Sequence, residues 1–395
     1  MHGVDWEAVL AHYLPMVDDA VSREDVSYII GEMISELNVG HAYYNGGDTE
    51  GQPSTNVGML GADYEVFSET VDGQEHAGFR FAKIFHGAPW DTDARNPLTQ
   101  QGIEIAEGDI LTKVNGVPVD TAKDPWAAFI GLANTPTNIT VVSSFSGDED
   151  TINERDFTIK PMRSETNLRF RNWIEDNRAY VHEASGGQVG YIYVPNTGVQ
   201  GQNELFRQFY GQAGKSALLI DERWNGGGQI PNRFIELLNR PRTNYWYRRD
   251  GKDWPWPYDS HQGPKAMLIN GNAGSGGDMF PWLFKHHGIG KLIGTRTWGG
   301  LVGISGVPGL IDGGSVSVPN FGFYEMDGTW GIEGHGVDPD IEVIADPAKM
   351  RDGADPQLDT AINHLLEEIR VNGYKPPQRP AEPVRTGVGI SDEDK

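Results

Sequence analysis

The chain of 395 residues contains no cysteine. That excludes disulfides, thiolate nucleophiles and cysteine zinc sites in one step. Basic residues are few beside acidic ones, 32 Lys and Arg against 56 Asp and Glu, for a formal net charge of −24. Nucleic acid and anionic membrane are disfavoured as partners, since binding to either draws on clustered cations. No apolar run approaches the roughly 20 residues that cross a bilayer. The opening Met1-His-Gly-Val-Asp-Trp lacks the basic and apolar parts of a secretion signal. A cytoplasmic location is expected, or a periplasmic one if a signal peptide precedes this chain in a longer protein. Also missing are the Gly-Lys-Ser/Thr ending of a phosphate loop, the Gly-x-Ser-x-Gly elbow and the His-Glu-x-x-His zinc pair. No cofactor and no metal is expected.

What is present suits a globular chain of two or three domains: 38% hydrophobic residues, with 11 Trp and 15 Phe for its cores. The most informative stretch is Ala266-Met-Leu-Ile-Asn-Gly-Asn-Ala-Gly-Ser-Gly-Gly-Asp-Met-Phe-Pro-Trp-Leu-Phe284. An apolar run suited to a buried strand breaks into glycines, and apolar positions resume at helical spacing from Met279. Ser275 falls at the tip of this strand, turn and helix, where a hydroxyl stands clear of the backbone beside free helix N–H groups. Taken alone, the stretch is equally well a glycine loop with a serine cap. As a nucleophile, Ser275 needs partners from elsewhere.

The rest of the chain divides by rhythm. Residues 4–38 carry a helical pattern, with Ser22 and Asp25 as an N-terminal cap and a stop near Gly40. His41 follows at once. Residues 45–56 are polar and glycine-rich, as in a linker. Short alternating runs at 79–85, 108–119, 139–142 and 157–159, with a helix at 125–132, predict a small β-domain. Its Gly108-Asp-Ile-Leu-Thr-Lys-Val-Asn-Gly-Val-Pro-Val119 resembles the strand, turn, strand signature of PDZ domains. That resemblance implies a peptide adding as a strand beside Gly78, Phe79 and Phe81. From residue 168 the pattern is α/β, with strands at 189–194, 217–220, 266–269 and 291–300 and helices at 231–238 and 356–369. The expected domains are 1–50, the helical part of the core; 55–162, the PDZ-like domain; 163–372, the α/β core; and 373–395, a proline-rich then charged tail expected to be disordered.

Acyl transfer needs a nucleophile, a base, a group that orients the base, and donors for the oxyanion. Asp221-Glu-Arg-Trp-Asn-Gly-Gly-Gly-Gln229 follows a strand, and its glycines let backbone approach a substrate closely. Gly228 N–H and Gly276 N–H are candidate oxyanion donors. Glu333, in Trp330-Gly-Ile-Glu-Gly-His335, is the candidate carboxylate. His41 and His335 both remain open as the base by spacing, while His286 and His287 are expected at a helix C-terminus.

Together with Glu36-Leu-Asn-Val-Gly-His-Ala-Tyr43, Gly290-Lys-Leu-Ile-Gly-Thr-Arg-Thr-Trp-Gly-Gly300 and Gly336-Val-Asp-Pro-Asp-Ile341, these pieces resemble, in order, the protease half of the tricorn family. The resemblance covers nearly the whole chain apart from the tail. It implies an α/β multidomain fold in which a helical subdomain and an inserted PDZ-like domain join a core related to tail-specific proteases. It implies a serine peptidase acting on oligopeptides or unfolded polypeptides, with Ser275 as nucleophile, His41 as base and Glu333 as supporting carboxylate. Gly228 and Gly276 fall on the family's oxyanion donors. Gly40 stands where a serine usually links histidine to glutamate. A hexamer is implied as a form of assembly. Two alternatives stand beside this reading: a non-catalytic PDZ scaffold, and a Ser-Lys protease using Lys285 or Lys291.

Overall fold

The computed structural model describes residues 3–391 except 52, 72–73, 89, 144–152, 307–308, 352 and 383–390, together with residue 393. The helical pattern at the start resolves into α1 (Trp6–Tyr13) and α2 (Arg23–Ser35), with a 3₁₀ turn at Leu14–Asp19 between them. Ser22 and Asp25 cap α2 reciprocally, Asp25 N donating to Ser22 Oγ at 3.1 Å and Ser22 N to Asp25 Oδ2 at 2.9 Å. The helix stops at Ser35, short of Gly40, and the chain then turns through Asn38 and His41 at φ 45° and 59°. Neither helix has a fully buried side chain. A short strand, β1 (Tyr43–Asn45), then pairs antiparallel with Ser315–Ser317, fastening the start of the chain to a segment far along it.

Strands β2 (Ala62–Val71), β3 (Gln74–Ile84), β4 (Ile110–Val114), β5 (Val117–Pro118), β6 (Thr137–Val142) and β7 (Glu154–Ile159) form an antiparallel sheet ordered β2-β3-β4-β6-β7, with β5 on β4. Its core holds Leu60, Phe79, Phe81, Leu111, Phe129 and Ile139. The helix expected at 125–132 is a 3₁₀ turn, Pro125–Phe129. The peptide-binding edge expected at Gly78, Phe79 and Phe81 is not an edge. β3 is paired with β2 along its length and with β4 at Phe79 and Arg80. The alternation that marks Phe79 and Phe81 reports the face turned to the core, and a single strand's pattern carries no information about which neighbours flank it. The outer strands among the described residues are β2 and β7.

The rest follows as α3 (Thr166–Ala184), β8 (Val189–Tyr193), α4 (Val199–Gln212), β9 (Ala217–Asp221), α5 (Pro231–Leu238), the hairpin β10 (Asn244–Trp246) and β11 (Trp254–Trp256), β12 (Lys265–Ile269), α6 (Gly276–His286) and β13 (Lys291–Gly294). Next come β14 (Gly303–Ile304), β15 (Ser315–Ser317), β16 (Pro319–Phe321), β17 (Ile341–Glu342), α7 (Pro347–Met350) and α8 (Pro356–Asn372). Five strands make one sheet, β17-β13-β12-β9-β8, with every pair parallel. Helices cover both faces, which is why its strands read as short unbroken apolar runs. Ile220, Met267 and Ile269 pack on Phe209, Phe234, Phe280 and Phe284 of α4, α5 and α6. On the other face Leu219, Leu268 and Tyr191 meet Ile174 of α3 and Leu358, Ile362 and Leu365 of α8.

Helices α3 and α4 are not foreshadowed by the sequence pattern. α3 buries Arg171 and Asn172 among Leu168, Ile174 and Val181, so polar residues interrupt its apolar stripe. Both are compensated: Arg171 grips Glu204 of α4 through two bonds of 3.1 and 2.7 Å, and Asn172 Oδ1 accepts from His86 N at 2.9 Å. The first part of the stretch expected to be a disordered tail lies against the β10–β11 hairpin, where Tyr374 Oη meets Tyr245 Oη at 3.0 Å and Arg379 pairs with Asp253. Residues 383–390 of that expectation lie outside the described residues. Among the described residues no helix is long and apolar enough to cross a membrane.

Candidate active site

In a parallel sheet of this kind, ligands bind beyond the carboxyl ends of the strands. There the loops after β9, β12 and β13 meet. The chain leaving β12 turns through Ser275 at φ 59° and ψ −117°, a region an L-residue takes only under constraint, at a cost of about 1–3 kcal/mol. The constraint is visible. Ser275 N donates to Asp278 Oδ2 at 2.8 Å, while Asp278 Oδ1 accepts from Thr297 Oγ1 at 2.5 Å and Gly299 N at 2.8 Å. Burial pushes the Asp278 carboxyl above its ordinary range, and these hydrogen bonds oppose the shift. Sequence reasoning passed over Asp278, although Ser-x-x-Asp before an apolar run is a capping spacing.

The glycine loop after β9 lies directly on this turn. A Cβ on Gly227 would sit 2.7 Å from Ser275 Cβ, and one on Gly276 would sit 2.0 Å from Thr197 Oγ1 and 2.7 Å from Gly228 N. The two loops touch backbone to backbone, and no side chain fits between them. The amides of Gly228 and Gly276 have no hydrogen-bond partner among the described residues. Two neighbouring free N–H groups beside a serine are what a developing oxyanion requires.

The remaining candidates come in on loops. Gly40 N donates to Glu333 Oε1 at 2.7 Å, and Glu333 Oε2 accepts from Leu301 N at 2.6 Å and Val302 N at 2.8 Å. Glu333 is therefore a clasp for three backbone amides and makes no hydrogen bond to His41. A Cβ on Gly40 would lie 2.8 Å from Gly300 Cα, so the tight approach of the two loops keeps this position a glycine. The His41 ring lies 5.6 Å from the ring of Trp298, whose other contacts cover Gly274, one residue before Ser275. Trp298 is thus common to both halves of the site. No hydrogen bond joins His41 to Ser275 among the described residues; ligand-free sites often show this contact long.

The rival bases are committed elsewhere. His335 Nε2 bonds Asp338 Oδ2 at 2.8 Å, and His286 stacks on Trp282 at the far end of α6. Lys285 and Lys291 both approach Asp340, 3.6 Å away, at the opposite end of the sheet from Ser275. One further buried group belongs to the site's floor. Glu222, the residue after β9, has both carboxyl oxygens buried without a hydrogen-bond partner among the described residues. Its burial, reinforced by Asp278 and Asp221, holds its pKa well above the usual carboxylate range.

Residues 188–343 match Peptidase family S41, residues 58–164 the Tricorn protease PDZ domain and residues 1–35 the Tricorn protease C1 domain. A parallel α/β core that ends in a strained serine turn, carried with a PDZ domain, places the chain in the class of S41 peptidase folds. Within that class, the chain belongs to the tricorn protease family. It is 34% identical to Tricorn protease homolog 1 of Streptomyces coelicolor, over 95% of this chain and 34% of that protein. To Tricorn protease of Thermoplasma acidophilum it is 35% identical, again over 95% of this chain and 34% of the relative. The crystal structure of the tricorn protease matches with a TM-score of 0.84 at 34% identity, covering 92% of this chain and 34% of that one. The chain spans about a third of the length of these relatives.

Proposed function

We propose that this chain is a serine peptidase of the tricorn type, cleaving oligopeptides or unfolded polypeptides through an acyl-enzyme. Ser275 Oγ attacks the scissile carbonyl carbon as His41 takes its proton, and the carbonyl oxygen becomes an oxyanion held by Gly228 N–H and Gly276 N–H. His41 then returns the proton to the departing amine, and water releases the acyl group by the same route in reverse. Glu333 supports the base through the backbone of Gly40. The observation that carries this reading is the strained Ser275 turn with two unpartnered amides beside it.

The Ser-Lys alternative is disfavoured because Lys285 and Lys291 lie by Asp340, away from the carboxyl ends of the strands where Ser275 stands. In the PDZ-like domain the outer strands that could take an added peptide strand are β2 and β7 among the described residues. A cytoplasmic location and a homo-oligomer, a hexamer by family likeness, belong to the same reading; light scattering of the purified chain checks the second.

The test is digestion of a mixed peptide library, read by mass spectrometry, for the unmutated chain and Ser275→Ala, alongside labelling by a fluorophosphonate. We expect cleavage and labelling in the first and neither in the second. Equal cleavage by both would reject Ser275, and binding without turnover by the unmutated chain would favour the scaffold.

A further inference from the structure

A histidine acting as a general base needs one ring nitrogen fixed so that the other presents its lone pair to the nucleophile. Glu333 is the residue expected to do this, and its geometry is wrong for the task. Its two oxygens are taken by Gly40 N, Leu301 N and Val302 N. Gly40 itself offers no side chain to bridge the distance, and a Cβ there would meet Gly300 Cα at 2.8 Å and Glu333 Oε1 at 3.1 Å. Restoring a bridging residue means moving the Gly300 backbone.

The imidazole nevertheless has a partner. Tyr43 Oη lies 3.3 Å from His41 Nδ1, and it makes the one hydrogen bond to this ring among the described residues. Tyr43 opens β1 and pairs with Ser317, so its backbone is fixed by a strand while His41 sits on a turn at φ 59°. Its ring meets the imidazole edge-on, centroids 6.0 Å apart, and Trp298 lies against the imidazole with centroids 5.6 Å apart.

We propose that Tyr43 is the positioning residue of His41, accepting a hydrogen bond from Nδ1–H and so leaving Nε2 as the basic nitrogen. This rests on the peptidase reading of Ser275 and His41. When Nε2 takes the serine proton, Nδ1–H stays on Tyr43 Oη and no proton moves to the tyrosine. The imidazolium is thereby supported by a dipole, and the carboxylate of Glu333 acts one step away through the Gly40 amide. Among the described residues the tyrosine hydroxyl makes the one hydrogen bond to the ring, so it sets the tautomer.

Two measurements test this. In protein labelled with ¹⁵N-histidine, the His41 signal, identified by its loss in His41→Ala, should show the Nδ1–H tautomer above neutral pH, and Tyr43→Phe should shift it toward a mixture. In peptide cleavage, Tyr43→Phe should lower kcat about tenfold with KM within about twofold, the factor one net neutral hydrogen bond carries. A packing role would leave both readings unchanged, because phenylalanine keeps the ring. An Nε2–H tautomer in the unmutated protein, or unchanged kcat in Tyr43→Phe, overturns the proposal. If Ser275→Ala and His41→Ala are inactive while Tyr43→Phe is not, the tyrosine assignment alone falls. If Ser275→Ala stays active, the peptidase reading falls with it.

Discussion

The two halves of the site are built by different means. Ser275 and Gly276 stand at the junction of a buried strand and a helix, against the Gly228 loop, with backbone contacts so close that a single methyl group added to Gly276 has nowhere to go. His41 and Glu333 stand on loops, behind two helices that bury no side chain completely. The first half is held by packing and cannot drift. The second is held by polar contacts, chiefly the three amides on Glu333 and the pairing of Arg23 with Asp312 at 2.6 Å. Substitutions should therefore act differently on each side, steric on one and polar on the other.

The largest effect in that comparison is expected from Gly276→Ala. The new Cβ would meet Thr197 Oγ1 and the Gly228 backbone, so the two amides are forced apart. Losing one oxyanion donor lowers kcat by about 10²–10³-fold, and the same loss is expected here in steady-state peptide cleavage. Gly211→Ala is the control. That glycine lies in α4 with open space around it, so activity should be unchanged and the denaturant midpoint slightly raised, by about 0.5–1 kcal/mol in stability.

On the other side, removing the Glu333 carboxylate should loosen the base without touching the nucleophile. Glu333→Ala leaves three amides without their acceptor, each bond to a charged group contributing about 1.5–3 kcal/mol; with water recovering most of that loss, we expect kcat to fall about 10–100-fold. Fluorophosphonate labelling of Ser275 should slow in parallel, since it draws on the same base. Glu333→Gln should be nearly as damaging. Both oxygens accept, so an amide group would set N–H against N–H on one side. Full activity in Glu333→Gln would show that the clasp does not matter and that the two halves are equally rigid.

The same division explains what could be read from the sequence. Strand, glycine turn and helix around Ser275 are local, so their spacing announces them, and the cap at Ser22 and Asp25 is visible for the same reason. The base side depends on contacts nearly three hundred residues apart, such as Gly40 with Glu333. Spacing left His41 level with His335; the family resemblance ranked it first. Tyr43 stands inside the same matching stretch without a signal of its own, because nothing in a sequence tells that a strand will carry its hydroxyl back to the histidine two residues earlier. The β3 edge was misjudged because alternation reveals faces and not neighbours. α3 went unseen because it buries an arginine and an asparagine whose partners lie on other elements.

The smallest expected effect tests how complete the packing of the nucleophile side is. Glu222 N is bonded to Leu268 O at 3.1 Å, fixing the residue in the floor beside Asp278, yet its carboxyl is buried with no hydrogen-bond partner among the described residues. With its folded pKa raised above the unfolded value near 4.3, the folded chain keeps a proton that the unfolded chain gives up. Stability must therefore decline as pH climbs from that value toward the folded pKa. Glu222→Leu, of similar volume and without the buried polar group, should abolish this slope. Little change is expected near pH 4, and at pH 8 the variant should be more stable by about 1 kcal/mol or more, roughly 2–4 °C in Tm. If the variant instead melts lower at pH 8, the carboxyl has a partner in solution, and the floor beneath Ser275 is held by polar contacts just as the base side is.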